Sequence, residues 1–187
     1  MNYGEIKSRD IANGPGVRVS LFVSGCTHHC RGCFNPETWD FHYGEPFNEK
    51  TEERLLKALE PSFIKGLSLL GGEPFELSSS RVLAPFVKKV RERFPEKTVW
   101  CYSGYRLEEI LADTMGGAPF TGELLSLIDV LVDGEFMEDL KILNLKFRGS
   151  SNQRLVDVPA TLEKGTVVEW TDPAEQILRE TIPVKER

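Results

Sequence analysis

Apolar residues along this chain occur in short continuous runs, separated by segments in which they recur every three or four positions. The runs predict strands over residues 17–24, 66–70, 98–102 and 129–132. The intervening segments predict helices over residues 51–59, 82–94, 107–115 and 123–128. Strands and helices that alternate in this way favour parallel strands joined by right-handed crossovers.

The predicted strands are too few for a closed barrel. A barrel of eight strand–helix units needs roughly 250 residues, and this chain has 187. We therefore expect an α/β fold in the form of a partial, open parallel barrel, with residues 1–170 as a single domain. The segment after Leu155 is expected to add one or two short strands, and residues 171–187 to form a charged C-terminal tail.

The composition is that of an ordinary globular protein, with 40% hydrophobic and 28% charged residues. A formal net charge of -6 argues against a nucleic-acid-binding protein, because such proteins usually present a basic face. No apolar run approaches the roughly 20 residues of a membrane-spanning helix, and the first residues do not have the pattern of a signal peptide. We expect a cytoplasmic protein without a nucleic-acid or membrane partner.

Three of the four cysteines follow the first predicted strand in the pattern C-x3-C-x2-C, at Cys26, Cys30 and Cys33. Clustered thiols in a reducing compartment are typical of metal or catalytic sites rather than disulfides. Three thiolates can hold three irons of a [4Fe-4S] cluster, and the fourth iron then has no ligand from this loop. Cys101 lies in an apolar strand pattern and is expected to be buried and inert.

Two other metal sites use similar ligands. A structural zinc site has four ligands, commonly in two pairs, so His28, His29 or Cys101 would have to complete it, and the sequence has no second pair. A redox-only ferredoxin cluster needs four cysteines. We expect His28 and His29 to be loop residues, and a zinc-stabilised binding module remains the alternative from a different class.

Four predicted strands end at small, polar or metal-binding residues: Gly25-Cys26, Gly71-Gly72-Glu73, Ser103-Gly104 and Asp133-Gly134. The carboxyl ends of parallel strands lie at one edge of the sheet, where ligands bind. Glycine lets a ligand approach the backbone closely, and the Glu73 carboxylate can accept a hydrogen bond from an ammonium group. Ser103 and Asp133 are further candidates, although serine and aspartate also commonly cap helices.

The cysteine motif and the Gly-Gly-Glu-Pro motif resemble those of the radical S-adenosylmethionine enzymes. The resemblance implies a [4Fe-4S] cluster held by Cys26, Cys30 and Cys33, with S-adenosylmethionine bound to the open iron through its amino and carboxylate groups. It also implies that the open barrel is of the type found in that family. Reductive cleavage of the sulfonium would then give methionine and a 5′-deoxyadenosyl radical.

The same resemblance assigns binding roles to other residues. Gly71, Gly72 and Glu73 are expected to hold the methionine amino group, and Ser103 and Asp133 to contact the ribose or the methionine carboxylate. Members of the family often have an aromatic residue just before the third cysteine. Here that residue is Gly32, so the adenine contact is expected from the backbone of Gly32, Cys33 and Phe34.

Further blocks resemble the small activases of anaerobic ribonucleoside-triphosphate reductase: Asn13–Arg18, Phe22–Cys26, Cys33–Trp39, Leu131–Phe136 and Arg148–Arg154. The resemblance implies a large glycyl-radical reductase subunit as partner and an external, flavodoxin-like one-electron donor. Another glycyl-radical enzyme or a small molecule as the target is the alternative. The Arg148–Arg154 loop is expected at the partner-facing or cofactor-facing rim, and Glu135 is assigned no role.

Overall fold

The computed structural model describes residues 1–172, so most of the predicted tail, residues 173–187, lies outside the described residues. The strands are β1 (Asn2–Asp10), β2 (Val17–Val23), β3 (Glu45–Pro46), β4 (Ile64–Gly71), β5 (Thr98–Tyr102), β6 (Val130–Asp133) and β7 (Arg154–Asp157). The helices are α1 (Glu49–Leu59), α2 (Leu77–Arg93), α3 (Leu107–Leu111), α4 (Phe120–Ser126) and α5 (Val158–Lys164). Short 3-10 helices occupy Pro36–Trp39 and Glu138–Leu140.

All seven strands form one open sheet in the order β3-β1-β2-β4-β5-β6-β7. The four central strands β2, β4, β5 and β6 pair in parallel, and they coincide with the four apolar runs that predicted strands. The pairs β1–β2, β1–β3 and β6–β7 are antiparallel. The predicted α/β architecture with an open, mostly parallel centre is therefore confirmed, and antiparallel strands form both edges.

The two faces of the sheet have different coverings. Alternate strand residues such as Leu21, Leu69 and Leu131 belong to one apolar core to which all five helices contribute. The opposite face carries Trp100, Val130 and Val132, which pack with Phe147, Leu155 and Trp170. Because the helices cover the first face, the cavity described below lies on the second.

Arg18 is fully buried on this second face and joins three central strands. Its guanidinium donates to Ser68 Oγ (2.8 Å), to the Leu67 carbonyl (2.8 Å) and to the Thr98 hydroxyl and carbonyl (2.9 and 2.8 Å). It also lies over the Trp100 ring, 5.6 Å from the centroid. Burial lowers the pKa of Arg18 to about 10, and the four acceptors compensate for the lost hydration.

Several element ends differ from the sequence prediction. Helix α1 begins at Glu49 because Asn48 accepts hydrogen bonds from Lys50 N and Thr51 N, and Thr51 is the third helical residue rather than the cap. Helix α2 begins five residues before the predicted start at residue 82 and retains Pro85 inside it. The region after Leu155 supplies strand β7 as expected, and then helix α5, which was not predicted.

No helix within residues 1–172 has the length and apolar character needed to cross a membrane.

Candidate iron–sulfur and cofactor site

The cysteine loop leaves the carboxyl end of β2 through a tight turn at Gly25. Gly25 has φ +101°, and a Cβ atom there would lie 2.3 Å from the Phe41 ring. The Gly25 amide donates to the Thr38 carbonyl (2.8 Å), and the Cys26 amide to the Trp39 carbonyl (3.2 Å). The 3-10 helix Pro36–Trp39 therefore fixes the direction in which the loop leaves the sheet.

Cys26, Cys30 and Cys33 are all unpaired thiols and line one cavity of about 440 Å³. Cys101 is also a free thiol, but it is fully buried in the core on the helix-covered face and does not line this cavity. The structure thus brings together the three cysteines of the C-x3-C-x2-C motif, and separates them from the fourth.

Burial and nearby backbone amides act in opposite directions on the thiols of Cys26 and Cys30. Burial raises the pKa of Cys26 to about 12, and the amides of His28 and His29 partly offset this effect. Burial also raises the pKa of Cys30, opposed by the amide of Phe136. The Asn35 amide donates to the sulfur of Cys33 at 3.4 Å.

This environment fits an iron–sulfur cluster. Buried thiols ionise when a metal supplies positive charge, and amide hydrogen bonds to the sulfurs are one means by which proteins tune such clusters. Within residues 1–172, no three His, Cys, Asp or Glu side chains are grouped as ligands of a metal ion. Cys26, Cys30 and Cys33 instead lie around a shared space, which suits ligands that bind different irons.

The Gly71-Gly72-Glu73 turn lies directly against the start of the cysteine loop. The Gly72 amide donates to the Val23 carbonyl (2.7 Å), and the Glu73 amide donates to the Gly25 carbonyl (2.8 Å). A Cβ atom on Gly72 would lie 2.5 Å from the Gly25 carbonyl oxygen. Glycine is required here because two backbone segments approach too closely for a side chain.

The Glu73 side chain is 1% exposed and already accepts several hydrogen bonds. Oε1 accepts from Phe75 N (2.9 Å) and Ser103 Oγ (2.9 Å), and Oε2 accepts from Gly104 N (2.8 Å). Ser103 Oγ also accepts from Tyr105 N (3.0 Å). Glu73 and Ser103 both line the cavity, and their hydrogen bond connects the ends of β4 and β5.

His28 connects the cysteine loop to two strand ends. Its Nδ1 lies 2.9 Å from Glu135 Oε1, and its Nε2 lies 3.3 Å from Glu73 Oε2, an ion-pair distance without hydrogen-bond geometry. Its ring packs edge-on against Tyr105. Burial lowers the pKa of His28, but Glu73 and then Glu135 outweigh that effect and raise it to about 9.

Sequence reasoning treated His28 as a loop residue and gave Glu135 no role. Glu135 is 107 residues away from His28 in the chain, and no sequence pattern indicates that their side chains meet. The one signal that the sequence offered for a role of His28 was its position within the predicted metal-binding loop. That position is equally compatible with a zinc ligand.

Asp133 lies at the carboxyl end of β6, but its side chain is not part of the cavity wall. One carboxylate oxygen accepts from Leu107 N (2.8 Å) at the start of α3, and both accept from Arg154 (2.9 and 2.5 Å). Asp133 thus accepts from the first amide of α3, whose N-cap residue is Arg106, and is not itself a helix cap. Its neighbour Gly134 lines the cavity instead.

The Gly32-Cys33-Phe34 segment divides between the cavity and the outer surface. Cys33 and Phe34 line the cavity, whereas Gly32, with φ +74°, lies against Glu138, whose carboxyl carbon is 2.9 Å from a Cβ placed on the glycine. Arg31 forms an ion pair with Glu138 at 2.7 Å. The outer side of the cysteine loop therefore contacts the 3-10 helix Glu138–Leu140.

The Arg148–Arg154 loop closes the cavity beside β6. The Gln153 side chain accepts from Gly149 N (2.8 Å) and Ser150 N (3.1 Å) and donates to the Gly134 carbonyl (3.1 Å). Arg148, Gly149 and Gln153 line the cavity. The loop therefore lies at the edge of the cavity, and the Gln153 side chain, to which the sequence analysis gave no role, fastens it to the end of β6.

Comparison with known proteins agrees with this site. Residues 12–156 match the family model described as a 4Fe-4S single cluster domain. The chain is 46% identical over 155 residues, 82% of its length and 95% of the relative, to the anaerobic ribonucleoside-triphosphate reductase-activating protein of Pasteurella multocida (strain Pm70). The protein of the same name from Escherichia coli (strain K12) is 42% identical over 82% of this chain and 96% of its own length.

A viral relative has the same name. The anaerobic ribonucleoside-triphosphate reductase-activating protein of Enterobacteria phage T4 is 41% identical over 83% of this chain and 93% of its own length. The family-model match over residues 12–156 includes the cysteine loop, the glycine turn and the loop that closes the cavity. The chain therefore belongs to the 4Fe-4S single cluster domain family and, within it, to the anaerobic ribonucleoside-triphosphate reductase-activating proteins.

Proposed function

We propose that this chain is a radical S-adenosylmethionine activase that forms a glycyl radical on anaerobic ribonucleoside-triphosphate reductase. One observation carries the proposal: the three thiols of the C-x3-C-x2-C motif line one cavity together with Gly71, Gly72 and Glu73 at the carboxyl ends of parallel strands. The names of the relatives, at 41–46% identity, indicate the reductase as the partner.

Cys26, Cys30 and Cys33 are the proposed ligands of the [4Fe-4S] cluster. One iron is then left for the amino and carboxylate groups of S-adenosylmethionine. When both are bound, the cluster and S-adenosylmethionine supply reductive carbon–sulfur cleavage and the hydrogen-abstracting radical. The amide of Asn35 donates to the Cys33 sulfur, which supports thiolate ligation there, and Cys101, in the core of the helix-covered face, takes no part.

The protein itself positions the two cofactors. Gly71, Gly72 and Glu73 line the cavity, and we propose that they hold the methionine amino group, with the Glu73 carboxylate as an acceptor for the ammonium. Ser103 lines the cavity, which supports a proposed contact with the ribose or the carboxylate. Asp133 acts there only if its hydrogen bonds to Arg154 open, and the backbone of Gly32, Cys33 and Phe34 is the proposed adenine contact.

The remaining predictions are also proposals. The open sheet with its parallel centre is compatible with a partial barrel of the radical S-adenosylmethionine type. Free cysteines suit a cytoplasmic protein supplied by a flavodoxin-like donor. The net charge of -6 supports a protein that does not bind nucleic acid.

The test uses the full chain, purified anaerobically, reconstituted with iron and sulfide and then reduced. S-Adenosylmethionine is added and 5′-deoxyadenosine is measured, and the purified reductase is then examined by electron paramagnetic resonance. We expect 5′-deoxyadenosine together with a glycine-centred signal on the reductase. Binding of one equivalent of zinc without 5′-deoxyadenosine would refute the proposal, and 5′-deoxyadenosine without the glycine signal would reject the reductase as target.

A further inference from the structure

The chain continues past β7 into a segment that returns to the sheet. We call residues 158–172 the C-terminal segment, which consists of α5 and an extended stretch that runs antiparallel along β7. The Asp157 amide donates to the Val168 carbonyl (2.9 Å), and the Trp170 amide donates to the Leu155 carbonyl (2.7 Å). The family-model match ends before this segment, so membership of the family assigns it no role.

The indole of Trp170 belongs to a group of three rings beside the cavity. We call Trp100, Phe147 and Trp170 the aromatic triad. The Trp170 ring meets Trp100 edge-on, with 4.8 Å between centroids and 81° between planes, and Trp100 meets Phe147 edge-on at 5.2 Å and 78°. Edge-to-face contacts are a favourable arrangement of aromatic rings. Of the three residues, Phe147 lines the cavity, so Trp170 acts on the cavity wall through Phe147.

The triad joins a fixed ring to a ring outside the regular elements. Trp100 is 1% exposed in β5, and the Arg18 guanidinium lies 5.6 Å from its ring centroid. Phe147 lies between the 3-10 helix Glu138–Leu140 and β7, in neither a helix nor a strand. The Phe147 ring is therefore held between Trp100, which the sheet fixes, and Trp170, which the C-terminal segment supplies.

A second contact joins the C-terminal segment to the same part of the chain. The carboxylate of Asp172 lies 3.9 Å from Nζ of Lys146, the residue before Phe147. Two residues of the segment thus meet two consecutive residues at the start of the Arg148–Arg154 loop. The far end of this loop is fastened to β6 by the side chains of its last two residues, so the contacts with the C-terminal segment hold its near end.

The backbone of Phe147 needs such support. Its φ of +57° lies in the left-handed region, which is unfavourable for a residue with a Cβ atom. A conformation of this kind persists only where surrounding contacts hold it. Phe147 directly precedes Arg148 and Gly149, which both line the cavity. The contacts that hold the Phe147 ring therefore also determine the direction in which the loop enters the cavity wall.

We propose that Trp170 is a positioning residue for ligand binding in the cavity. Through the aromatic triad it keeps Phe147 in the left-handed conformation and the Arg148–Arg154 loop in the cavity wall. The inference rests on the proposed function for the identity of the ligand, S-adenosylmethionine. When a binding-competent conformation is populated for only a fraction of the time, the apparent Kd rises by the inverse of that fraction. Loss of the Trp170 ring should therefore weaken binding, although Trp170 is not part of the cavity wall.

The experiment compares Trp170→Ala and Trp170→Phe with Leu162→Ala in the full chain. Leu162 is 44% exposed on α5 and serves as the control from the same segment. The Kd for S-adenosylmethionine is measured by direct binding to the cluster-loaded chain. Hydrogen exchange is measured at the amides of Gly149 and Ser150, which donate to the Gln153 side chain. Exchange in α2 reports the stability of the fold as a whole.

We expect Trp170→Ala to raise the Kd about tenfold, which corresponds to a loop that is in place about one-tenth of the time. Exchange at the two loop amides should rise by at least about tenfold, because exchange follows the population of the open loop. Exchange in α2 should change little. Trp170→Phe keeps an aromatic ring and should retain most of the binding, and Leu162→Ala should match the wild-type chain.

The outcomes separate this inference from the proposed function. An unchanged Kd for S-adenosylmethionine in Trp170→Ala overturns it, and so does an equal rise of the Kd in Leu162→Ala. Exchange that rises as much in α2 as in the loop also overturns it, because Trp170 would then stabilise the fold as a whole. Failure of the wild-type, cluster-loaded chain to bind S-adenosylmethionine refutes the proposed function, and the loop amides alone then decide whether Trp170 holds the loop.

Discussion

The Nε2 atom of His28 lies 3.3 Å from Oε2 of Glu73, so a side chain of the cysteine loop meets the carboxylate that follows β4. Glu73 is 1% exposed, and its other hydrogen-bond donors are all neutral groups. Without His28, no positively charged side chain would compensate the charge of its carboxylate. His28 also reaches Glu135 after β6. One imidazole thus links the loop of the proposed cluster ligands to two strand ends.

Replacing His28 by glutamine is expected to loosen the cysteine loop. The variant removes the positive charge between Glu73 and Glu135, and the loss of such buried interactions typically costs about 1–3 kcal/mol. The free energy of unfolding and the iron retained after desalting should both fall. His42→Gln is the matched control, because that side chain is 94% exposed. Equal iron retention in both variants would contradict a positioning role for His28.

Arg18 is expected to be essential for the stability of the sheet. Arg18→Met keeps the apolar volume but leaves the Ser68 hydroxyl and the Leu67 and Thr98 carbonyls without their guanidinium donor. We predict a loss of about 2–4 kcal/mol in the free energy of unfolding, measured by urea denaturation. Arg81→Met, at an exposed position of α2, should change it little. A small effect of Arg18→Met would mean that neighbouring groups replace these hydrogen bonds.

Gly72→Ala is expected to displace the cysteine loop. The added Cβ atom would lie 2.5 Å from the Gly25 carbonyl oxygen and 2.9 Å from the Thr38 carbonyl oxygen, and both are backbone atoms. We predict weaker S-adenosylmethionine binding in a direct binding assay and a stability loss of about 1–3 kcal/mol. Gly122→Ala is the control, because a Cβ atom at that position in α4 meets nothing within 4 Å. Alanine is favoured over glycine within a helix, so the free energy of unfolding of this variant should rise by up to about 1 kcal/mol. Normal binding by Gly72→Ala would show that the two segments can separate.

The ion pair between Glu108 and Arg154 predicts a specific loss of stability in acid. The Arg154 hydrogen bonds lower the pKa of Glu108 to about 2 from its ordinary value of 4.5. A lowered carboxyl pKa stabilises the folded state above the ordinary value, and this stabilisation is lost as the pH falls towards about 2. Because Glu108 is half exposed, screening limits the effect to under about 1 kcal/mol.

Urea denaturation of Glu108→Gln across this pH range tests the prediction. The variant should be less stable than wild type near neutral pH, and the difference should shrink as the pH falls below the ordinary carboxyl value. Glu53→Gln, at an exposed position of α1, should show no such convergence. A difference that is independent of pH would mean that the pair contributes through packing and not through charge.

The sequence predicted best what depends on local patterns. The central strands were found because both of their faces are buried, which gives nearly continuous apolar runs such as Val17–Val23. Strand β1 was missed because it pairs near the sheet edge and most of its side chains, Lys7 and Arg9 among them, are not buried. Helix α5 was also missed, although Asp157 and Gly165 are residue types that commonly cap the two ends of a helix. In the structure Asp157 is the N-cap and Gly165, with φ +68°, is the C-cap.

In the proposed site, too, local motifs could be predicted from the sequence and long-range side-chain contacts could not. The cysteines and Gly71-Gly72-Glu73 could be proposed from the sequence because each motif is local and follows a strand. The contacts of Asp133 with Arg154, 21 residues later, and of Arg18 with Thr98, 80 residues later, depend on tertiary packing. No periodicity or spacing encodes such pairs, so the side chain of Asp133 was expected at the ligand and lies instead at the start of α3.

The central claim is that one iron of the cluster has no protein ligand and binds S-adenosylmethionine. Electron–nuclear double resonance of the reduced, cluster-loaded chain with S-adenosylmethionine labelled with ¹⁵N at its amino group tests this claim most directly. We predict a ¹⁵N coupling to the cluster in the wild-type chain and in Cys101→Ala, and loss of the cluster in Cys30→Ala. A reduced cluster that shows no coupling to the labelled amino group, or that requires Cys101, would contradict it.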